Sequence, residues 1–398
     1  MNLSLKIKNL TLISLMFCAV AFFKSQTVNY TKEFLVAADR PELYLPLLEG
    51  KKVSVVTNAT GLLKDGTHLV DFLLSKDVEV KNIFAPEHGF RGDADAGAVI
   101  KNSKDSKTGL SVLSLYGSNK KPTPEQLKNT EVLLFDIQDV GVRFYTYIST
   151  LSYLLEAAGE NGLSVIVLDR PNPHDGYIDG PVLKKGFESF VGLHPVPVVY
   201  GLTIGEYGKM VIGEGWLKGK VKPKYTVIPM KGYHKTKRYT LSNKPSPNLP
   251  NDKSINLYPS LCFFEGTQVS VGRGTPLPFQ IYGSPWTPSL PYTFTPKPSK
   301  GASDPFLNGR LCYGENLSKT AEDLRKLDLR FLLTAYQNFQ HNKTSFFLKN
   351  GFFDKLAGSD QLRKQLIAGF SEEKIRQSWK KDLEDFQIVR VKYLMYPN

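Results

Sequence analysis

The strongest constraint on the fold is the alternation of two hydrophobic periods between residues 52 and 84. Residues 52–57 are a β-branched run typical of a strand, residues 68–74 repeat apolar side chains at helical spacing, and residues 78–84 alternate again as a strand. Two strands joined by a helix make a βαβ unit, which implies a parallel sheet with helices on its faces.

The same alternation continues to residue 228. Strands are predicted at residues 112–116, 131–137, 163–168 and 225–228, and helices at residues 147–158 and 204–213, with a short one opening at Glu125. Thr203 and Glu206 have the spacing of a capping box at the start of the last helix. The pattern predicts an α/β fold with a Rossmann-like, mostly parallel sheet. Because the sequence has no G-x-G-x-x-G after the first strand and no G-x-x-x-x-G-K-[ST], it lacks the usual phosphate-binding loops, and no cofactor is expected.

The composition changes near residue 250. Prolines cluster between residues 245 and 298 in a stretch predicted to be irregular, and helices at residues 321–337 and 361–370 and a terminal strand at residues 389–394 are predicted after it. This pattern indicates a Rossmann-like catalytic domain over residues 27–250 and a smaller α+β domain over residues 251–398.

Residues 1–26 have the features of a secretory signal peptide. Lys6 and Lys8 precede an apolar run over residues 10–23, which is short for a membrane span, and polar residues follow it. An uncleaved anchor is the alternative. Cleavage predicts a protein that is secreted across the inner membrane, periplasmic or extracellular, with no stable membrane insertion after the signal is removed.

Charge and cysteine content limit the partners. The net charge of +13 falls to about +10 when the three lysines of residues 1–26 are removed, which suits an anionic cell-wall polymer. The basic residues are scattered instead of forming a stripe with aromatic residues, so nucleic acid is not an expected partner. Protein partners cannot be inferred. Cys262 and Cys312 form either one disulfide or two separate buried thiols.

The first candidate site is a polar cluster after the strand at residues 78–84. Pro86 stops the strand, and Glu87, His88 and Arg91 follow within a few residues, bracketed by glycines. Open α/β sheets bind ligands at the edge where their strands end, which favours a functional interpretation. A solvated turn with a Glu87–Arg91 ion pair is the structural alternative.

The second cluster follows the strand at residues 131–137. Its members are Asp136, Gln138, Asp139, Arg143, Tyr145 and Tyr147. Paired carboxylates with arginine and aromatic neighbours suit acid–base chemistry on an anionic sugar. A capping aspartate with core tyrosines would give the same pattern.

Two further clusters follow. Asp169 and Arg170 come directly after a predicted strand and are stiffened by nearby prolines, although a structural turn is equally compatible. Glu265 and Arg273 lie among glycines that let the backbone approach a ligand, and the arginine could meet a carboxylate as a two-pronged donor. A pair of ordinary β-turns is the alternative there.

Metal and nucleophile sites are not predicted. The available ligands would be His88, Asp136, Asp139 and Asp169, which lack a recognised metal-binding spacing. The sequence has no G-x-S-x-G elbow, and Cys262 lies in an apolar run that is typical of a core.

Five long motifs, at residues 58–61, 86–92, 135–147, 168–173 and 264–267, together resemble the NamZ family. These are exo-acting β-N-acetylmuramidases, glycoside hydrolase family 171, also described as YbbC-like proteins. The resemblance covers nearly all of the chain after residue 26. It implies removal of terminal N-acetylmuramic acid from the non-reducing ends of peptidoglycan fragments in cell-wall turnover and recycling, in a cleft between two domains. Muropeptides and disaccharides are the implied substrates, and Asn58 joins the expected substrate-binding residues. A non-catalytic periplasmic binding protein for muropeptides or another anionic sugar is the alternative.

For such a reaction, Glu87 is the expected general acid, because it lies between Pro86 and Gly89 close to apolar residues, with Asp136 and Asp139 expected across the cleft. A general acid must carry its proton before it acts, which a poorly solvated pocket or a nearby carboxylate favours. A proton-donating His88 could instead make Glu87 the base or nucleophile and leave an aspartate as the acid.

N-Acetylmuramic acid differs from N-acetylglucosamine by a lactyl carboxylate. One of Arg91, Arg143 and Arg273 is therefore expected to bind that carboxylate, and the sequence does not select among them.

Overall fold

A seven-stranded sheet organises the chain up to residue 228 in the computed structural model, which describes residues 34–87, 89–91, 102–320, 324–339 and 344–397. Its strands are β1 (Lys52–Thr57), β2 (Glu79–Ala85), β3 (Ser103–Lys104), β4 (Ser111–Ser114), β5 (Val132–Asp136), β6 (Ser164–Leu168) and β7 (Lys224–Ile228). They lie in the order β3-β4-β2-β1-β5-β6-β7. All are parallel to one another except β3, which is antiparallel to β4 at one edge. The strand order runs outward from β1 in both directions, as in a doubly wound Rossmann sheet.

Helices cover both faces of this sheet. They are α1 (Pro41–Leu48), α2 (Leu69–Leu74), α3 (Pro124–Leu127), α4 (Tyr147–Asn161) and α5 (Ile204–Gly213). Alternate residues of β5 enter different cores, since Leu133 and Phe135 pack with α4 and α5 while Leu134 packs with α1 and α2. Every residue of β5 is buried, which explains its nearly continuous apolar sequence.

The predicted start of α5 is confirmed in detail. The Thr203 hydroxyl accepts a hydrogen bond from the Glu206 amide, and the Glu206 carboxylate accepts one from the Thr203 amide. This reciprocal pair satisfies two amides that a helix start would otherwise leave without partners.

The remainder of the chain forms a smaller α+β region, as predicted. A three-stranded antiparallel sheet has the order β8-β10-β9, and five helices accompany it. The elements are α6 (Asp252–Leu261), β8 (Ile281–Ser284), β9 (Tyr292–Phe294), β10 (Cys312–Asn316), α7 (Arg330–Asn338), α8 (Phe352–Ala357), α9 (Gln361–Ile367) and α10 (Glu372–Arg390). The boundary expected near residue 250 falls just before α6.

Aromatic packing joins the two regions. The ring of Phe144, which precedes α4, lies edge-on to Tyr258 at 5.5 Å and to Phe263 at 5.7 Å. One hydrophobic cluster therefore runs from the Rossmann-like sheet into the α+β region.

The predicted terminal strand at residues 389–394 is wrong, because α10 continues to Arg390 and a 3₁₀ turn follows it. Ile375, Trp379 and Phe386 are buried at helical spacing along α10. Arg390 extends the buried stripe and donates from Nε to the carbonyl of Gly201 at 2.7 Å. Apolar and charged residues alternate after residue 388, and this alternation is the pattern that led to the prediction of a strand.

The predicted helix at residues 321–337 is also only partly correct. Residues 321–323 lie outside the described residues, and α7 begins at Arg330. The amides of Leu324, Leu327 and Asp328 are bound by side chains of other segments, at 2.7–3.1 Å, instead of by helical carbonyls. These tertiary hydrogen bonds compete with the local helix preference.

The stretch predicted to be irregular contains α6, β8 and β9. Asn251 caps α6 through a capping box with Ser254, and Pro259 lies inside the helix near its end. The cluster of prolines concealed this helix, since proline within a pattern normally argues against helix.

Both Cys262 and Cys312 are free and buried, which agrees with two separate thiols. The predicted signal peptide at residues 1–26 lies outside the described residues. Among the helices of the described ranges, none combines the length and apolarity needed to cross a bilayer.

The last residues of the chain are fastened to the Rossmann-like sheet. The Tyr396 hydroxyl donates to Asp169, which follows β6, at 2.6 Å and accepts from the Met230 amide at 3.1 Å. Its ring packs edge-on against Tyr233 at 5.0 Å. This buried phenol holds the end of the chain beside the carboxyl end of β6.

We expect Tyr396→Phe to lower the free energy of unfolding by about 1–3 kcal/mol, because it removes one of two hydrogen bonds to a buried Asp169 oxygen and leaves the buried Met230 amide without a partner. Urea denaturation measures the change. Tyr393→Phe is the matched control: its hydroxyl donates to the more exposed Glu214, so the expected loss is within about 0.5 kcal/mol. Equal losses in the two variants would contradict a special role for the Tyr396 hydroxyl.

Candidate active site

The carboxyl ends of β1, β5 and β6 meet in a buried ion pair. Asp136 ends β5, and Arg170 after β6 donates to its two carboxylate oxygens at 2.5 and 2.9 Å. Arg170 also donates to the carbonyl of Leu62, in the loop after β1, at 3.0 Å. Asp136 is fully buried and both its oxygens are bound. The pair therefore fixes three loops, and the expectation that Asp136 meets substrate is not supported by its position.

A polar network beside this pair uses several other predicted site residues. Asn58 accepts from the Thr60 amide at 2.9 Å and donates to the Tyr147 hydroxyl at 2.8 Å. Thr60 in turn accepts from the Gln138 amide at 2.9 Å, and the Gln138 side chain donates to the Pro171 carbonyl at 2.6 Å. Asn58, Gln138 and Tyr147 are all buried, so they hold the loops in place instead of facing a ligand.

Asp139 is buried under the same loops. One oxygen accepts from the Gly141 amide at 2.6 Å and from the Tyr200 hydroxyl, and the other has no hydrogen-bond partner among the described residues. Burial raises the pKa of Asp139 to about 6, against the lowering effect of these hydrogen bonds. Asp139 is thus a structural carboxylate of unusual pKa, not a group placed at the cavity described below.

Arg143 and Asp169 are likewise structural. The guanidinium of Arg143 is fully buried and donates to the carbonyls of Pro181, Val196 and Leu356 at 2.7–2.8 Å. Asp169 accepts from Tyr396, from the Thr203 hydroxyl and from the Gly205 amide, and burial raises its pKa to about 6.

Arg91 is pinned at the surface. It donates to both oxygens of Asp105, at 2.9 and 3.1 Å, and its side chain is about one third exposed. The alternative Glu87–Arg91 turn pair is therefore replaced by a pair with Asp105. His88 lies outside the described residues.

Glu87 faces a cavity of about 600 Å³ at the carboxyl edge of the sheet. The Thr146 hydroxyl donates to its carboxylate at 3.1 Å, and the Tyr116 hydroxyl bonds to it as well. Burial and the nearby Glu87 charge raise the pKa of Tyr116 above its usual range, so this phenol stays a donor. Two hydroxyls from the loops after β4 and β5 thus orient the carboxylate after β2.

Both regions of the fold line this cavity. The Rossmann-like region contributes Glu87, Tyr116, Phe144, Tyr145 and Thr146, and the α+β region contributes Asn248, Tyr258, Glu265, Arg273, Asp304 and Phe306, among others. Phe306 is 44% exposed, which leaves an aromatic face open to a sugar ring. The Tyr145 hydroxyl is used by the Pro245 carbonyl at 2.6 Å.

The structure therefore brings Glu87, Tyr145, Glu265 and Arg273 together among the predicted site residues. It adds Tyr116, Thr146, Asp304 and Phe306, which sequence reasoning missed. Tyr116 ends a predicted strand and Thr146 stands inside a quoted motif, so both carried a weak signal. Residues 304 and 306 lie in a loop where the sequence shows no pattern.

Two further observations delimit the site. A larger groove of about 1460 Å³ runs along α10, and the predicted site residues lie outside its lining. Within the part of the chain that the structure describes, no cluster of three or more His, Cys, Asp or Glu side chains is arranged to hold a metal ion.

The fold and the cavity define an α/β protein with a carboxylate held at the ligand-binding edge of a Rossmann-type sheet and a second region that completes the site. Residues 53–253 match the model of the N-terminal domain of exo-β-N-acetylmuramidase NamZ, and residues 256–396 match that of its C-terminal domain. The chain belongs to this family of glycosidases, as the motifs indicated.

Individual relatives agree with this assignment. The peptidoglycan β-N-acetylmuramidase NamZ of Bacillus subtilis (strain 168) is 40% identical over 379 residues, which cover 89% of each chain. A crystal structure of a DUF1343 family protein from Bacteroides fragilis NCTC 9343 superposes with a TM-score of 0.85 at 42% identity, covering 92% of this chain and 99% of that one. A second DUF1343 protein from the same strain gives a TM-score of 0.79 at 31% identity with the same coverage.

We expect the buried carboxylate of Asp139 to make stability fall as pH rises. Its pKa is about 6 in the folded protein and near 3.8 in the unfolded chain, so the folded state binds the proton more tightly between these values. The contribution is complete below about pH 4 and is lost as pH rises through 6, on the order of 3 kcal/mol in all. The stability of wild type relative to Asp139→Asn should therefore decrease between pH 4 and 7, measured by thermal unfolding.

Asp65→Asn is an opposite-sign control for this measurement. The Thr67 amide lowers the pKa of Asp65. The stability of wild type relative to that variant should therefore increase as pH rises, in a pH range below that of the Asp139 effect. A difference between wild type and Asp139→Asn that is constant with pH would contradict the assignment for Asp139.

Proposed function

We propose that this protein is an exo-acting β-N-acetylmuramidase that removes terminal N-acetylmuramic acid from the non-reducing ends of peptidoglycan fragments. The carrying observation is the position of Glu87, oriented by Tyr116 and Thr146 in a cavity, in a chain that belongs to the NamZ family. The curated relative from Bacillus subtilis acts on peptidoglycan, which supports the same substrate class here.

The proposed reaction is hydrolysis of the bond between the anomeric carbon and the glycosidic oxygen. Glu87 gives a proton to that oxygen, which leaves as the hydroxyl of the neighbouring sugar. The hydroxyl of a water molecule ends on the anomeric carbon, and a second carboxylate that acts as base takes the remaining proton of that water. Glu265 and Asp304 are the other carboxylates that line the cavity, whereas Asp136 and Asp139 are buried in the scaffold. Glu265 and Asp304 are therefore the candidates for the second carboxyl group of the reaction.

The cavity suits a saccharide. Its volume of about 600 Å³ holds one or two sugar rings, and its lining combines aromatic faces such as Phe306 and Tyr258 with polar groups such as Asn248. Aromatic faces bind the apolar side of a sugar ring, while the polar groups fix its hydroxyls.

We expect Glu87→Gln to lower kcat by about 10²–10⁴-fold, because it keeps the shape of the side chain and removes the proton that is transferred. The measurement is hydrolysis of an unactivated disaccharide, because its leaving sugar hydroxyl needs the transferred proton. Glu79→Gln is the matched control: it lies exposed at the opposite end of β2 and should retain wild-type activity.

Two outcomes would contradict the proposal in different ways. A wild-type protein that binds N-acetylmuramic acid but releases no chromophore from a 4-nitrophenyl β-N-acetylmuramide at any enzyme concentration would be the non-catalytic binding protein. A Glu87→Gln variant within about threefold of wild type on the disaccharide, well below the range for acid–base groups, would remove Glu87 from the reaction.

We also propose that residues 1–26 export the protein to the periplasm or beyond and are then removed. The support is the basic start and the apolar run over residues 10–23. We expect the exported protein to begin at Thr27, as determined by mass spectrometry after cell fractionation. Leu15→Arg, which interrupts the apolar run, should keep the chain in the cytoplasm. A full-length chain that stays in the membrane would show an anchor instead.

A further inference from the structure

Acidic side chains outnumber basic ones in the described lining of the cavity, which is unfavourable for an anionic substrate. Among the described lining residues, Glu87, Glu265 and Asp304 are acidic and Arg273 supplies the basic side chain. A cavity with this lining repels a carboxylate unless the carboxylate contacts the arginine.

The other arginines that the sequence offered for this role are committed elsewhere. Arg143 gives its hydrogen bonds to three backbone carbonyls, and Arg91 is paired with Asp105 at the surface. Arg170 is buried against Asp136. Arg91 and Arg170 therefore already have a carboxylate partner, and Arg143 is enclosed by backbone carbonyls away from the cavity lining.

Arg273 is held differently. Its Nε and Nη2 atoms both lie 2.8 Å from the same oxygen of Glu265, and its guanidinium stacks over the Phe279 ring at 5.0 Å. Nη1 is buried and has no hydrogen-bond partner among the described residues. The side chain as a whole is 23% exposed and lines the cavity.

This arrangement fixes the positive charge of Arg273 and leaves its Nη1 donor without a partner among the described residues. Burial opposes the charge on Arg273, but pairing with Glu265 outweighs it and keeps the pKa above its usual range. A buried donor without a partner destabilises a protein unless a ligand or other group uses it. Glu265 acts here as a positioning residue, since one of its oxygens fixes two corners of the guanidinium.

We propose that Arg273 binds the lactyl carboxylate of N-acetylmuramic acid and is the residue that makes the enzyme prefer muramoyl over glucosaminyl substrates. This inference rests on the proposed function. N-Acetylglucosamine lacks the lactyl group, so it would leave the Nη1 donor of Arg273 without a partner. A site built to bind a polar group rejects the analogue that lacks it far more strongly than it rejects a small change in size.

The test compares three 4-nitrophenyl β-glycosides: the N-acetylmuramide, its lactyl methyl ester and the N-acetylglucosaminide. The ester keeps the shape of the lactyl group and removes its charge. Wild type, Arg273→Gln and Arg273→Lys are compared by kcat/KM. Arg363→Gln is the matched control, because Arg363 forms a similar partly exposed ion pair with Asp354 away from the cavity.

We expect wild type to prefer the free acid over the ester, and Arg273→Gln to lose about 30-fold or more in kcat/KM on the acid alone. In that variant the acid and the ester should react equally, and the loss should lie mainly in KM. Arg273→Lys should recover part of the preference, since it restores the charge without the two-pronged geometry. Arg363→Gln should behave as wild type on all three glycosides.

The outcomes separate this inference from the proposed function. If wild type cleaves no glycoside, the proposed function fails. If wild type cleaves the muramide and Arg273→Gln still prefers the acid over the ester, the function stands and Arg273 is not the reader of the carboxylate. If Arg273→Gln loses activity equally on all three substrates, its role is structural and the inference is overturned.

Discussion

The ion pair between Arg170 and Asp136 is the interaction on which the candidate site depends. Both groups are buried, and the guanidinium binds the two carboxylate oxygens and the Leu62 carbonyl. Either charge alone in this position would be strongly unfavourable, so the pair holds only when β5, β6 and the loop after β1 are all in place. The strand ends that carry the site are therefore fixed relative to one another before any ligand binds.

The position of Glu87 follows from this anchor through a short series of contacts. The loop after β1 places Thr60 and Asn58, and Asn58 donates to the Tyr147 hydroxyl at the start of α4. Thr146, the residue before Tyr147, donates to the Glu87 carboxylate. A side chain that must transfer a proton needs its orientation fixed to within a fraction of an ångström. The buried network supplies that rigidity from residues that never touch the cavity.

The sequence predicted the sheet well because a strand buried on both faces leaves an unbroken apolar run, and a helix start leaves a capping box such as that of Thr203 and Glu206. It placed the candidate site at the strand ends because open α/β sheets bind ligands at that edge. It could not separate scaffold from site within those motifs. Asp136 ends β5 and Glu87 follows β2, and only the tertiary contacts show that Arg170 covers Asp136 while Glu87 lines the cavity.

The elements that the sequence missed are those whose backbone is controlled from a distance. Residues 324–328 bind side chains from other segments, and the end of α10 is held by the carbonyl of Gly201. The loop that carries Asp304 and Phe306 shows no hydrophobic periodicity. Local propensity competes poorly with such contacts, because each tertiary hydrogen bond in a buried place outweighs the small difference between helix and strand preferences.

The joint between the two regions determines how the cavity is held. Proteins that capture a ligand between two lobes commonly close about a hinge, which requires a joint that can open. Here the joint contains Phe144 packed on Tyr258 and the buried guanidinium of Arg143, which reaches the Leu356 carbonyl in the α+β region. Opening it would strip hydrogen bonds from a buried charge and expose aromatic rings, both of which cost free energy. The cavity is therefore preformed, with Glu87 on one region and Arg273 on the other held at a fixed separation. A fixed separation between the group that recognises a substrate and the group that acts on it is what transition-state stabilisation requires.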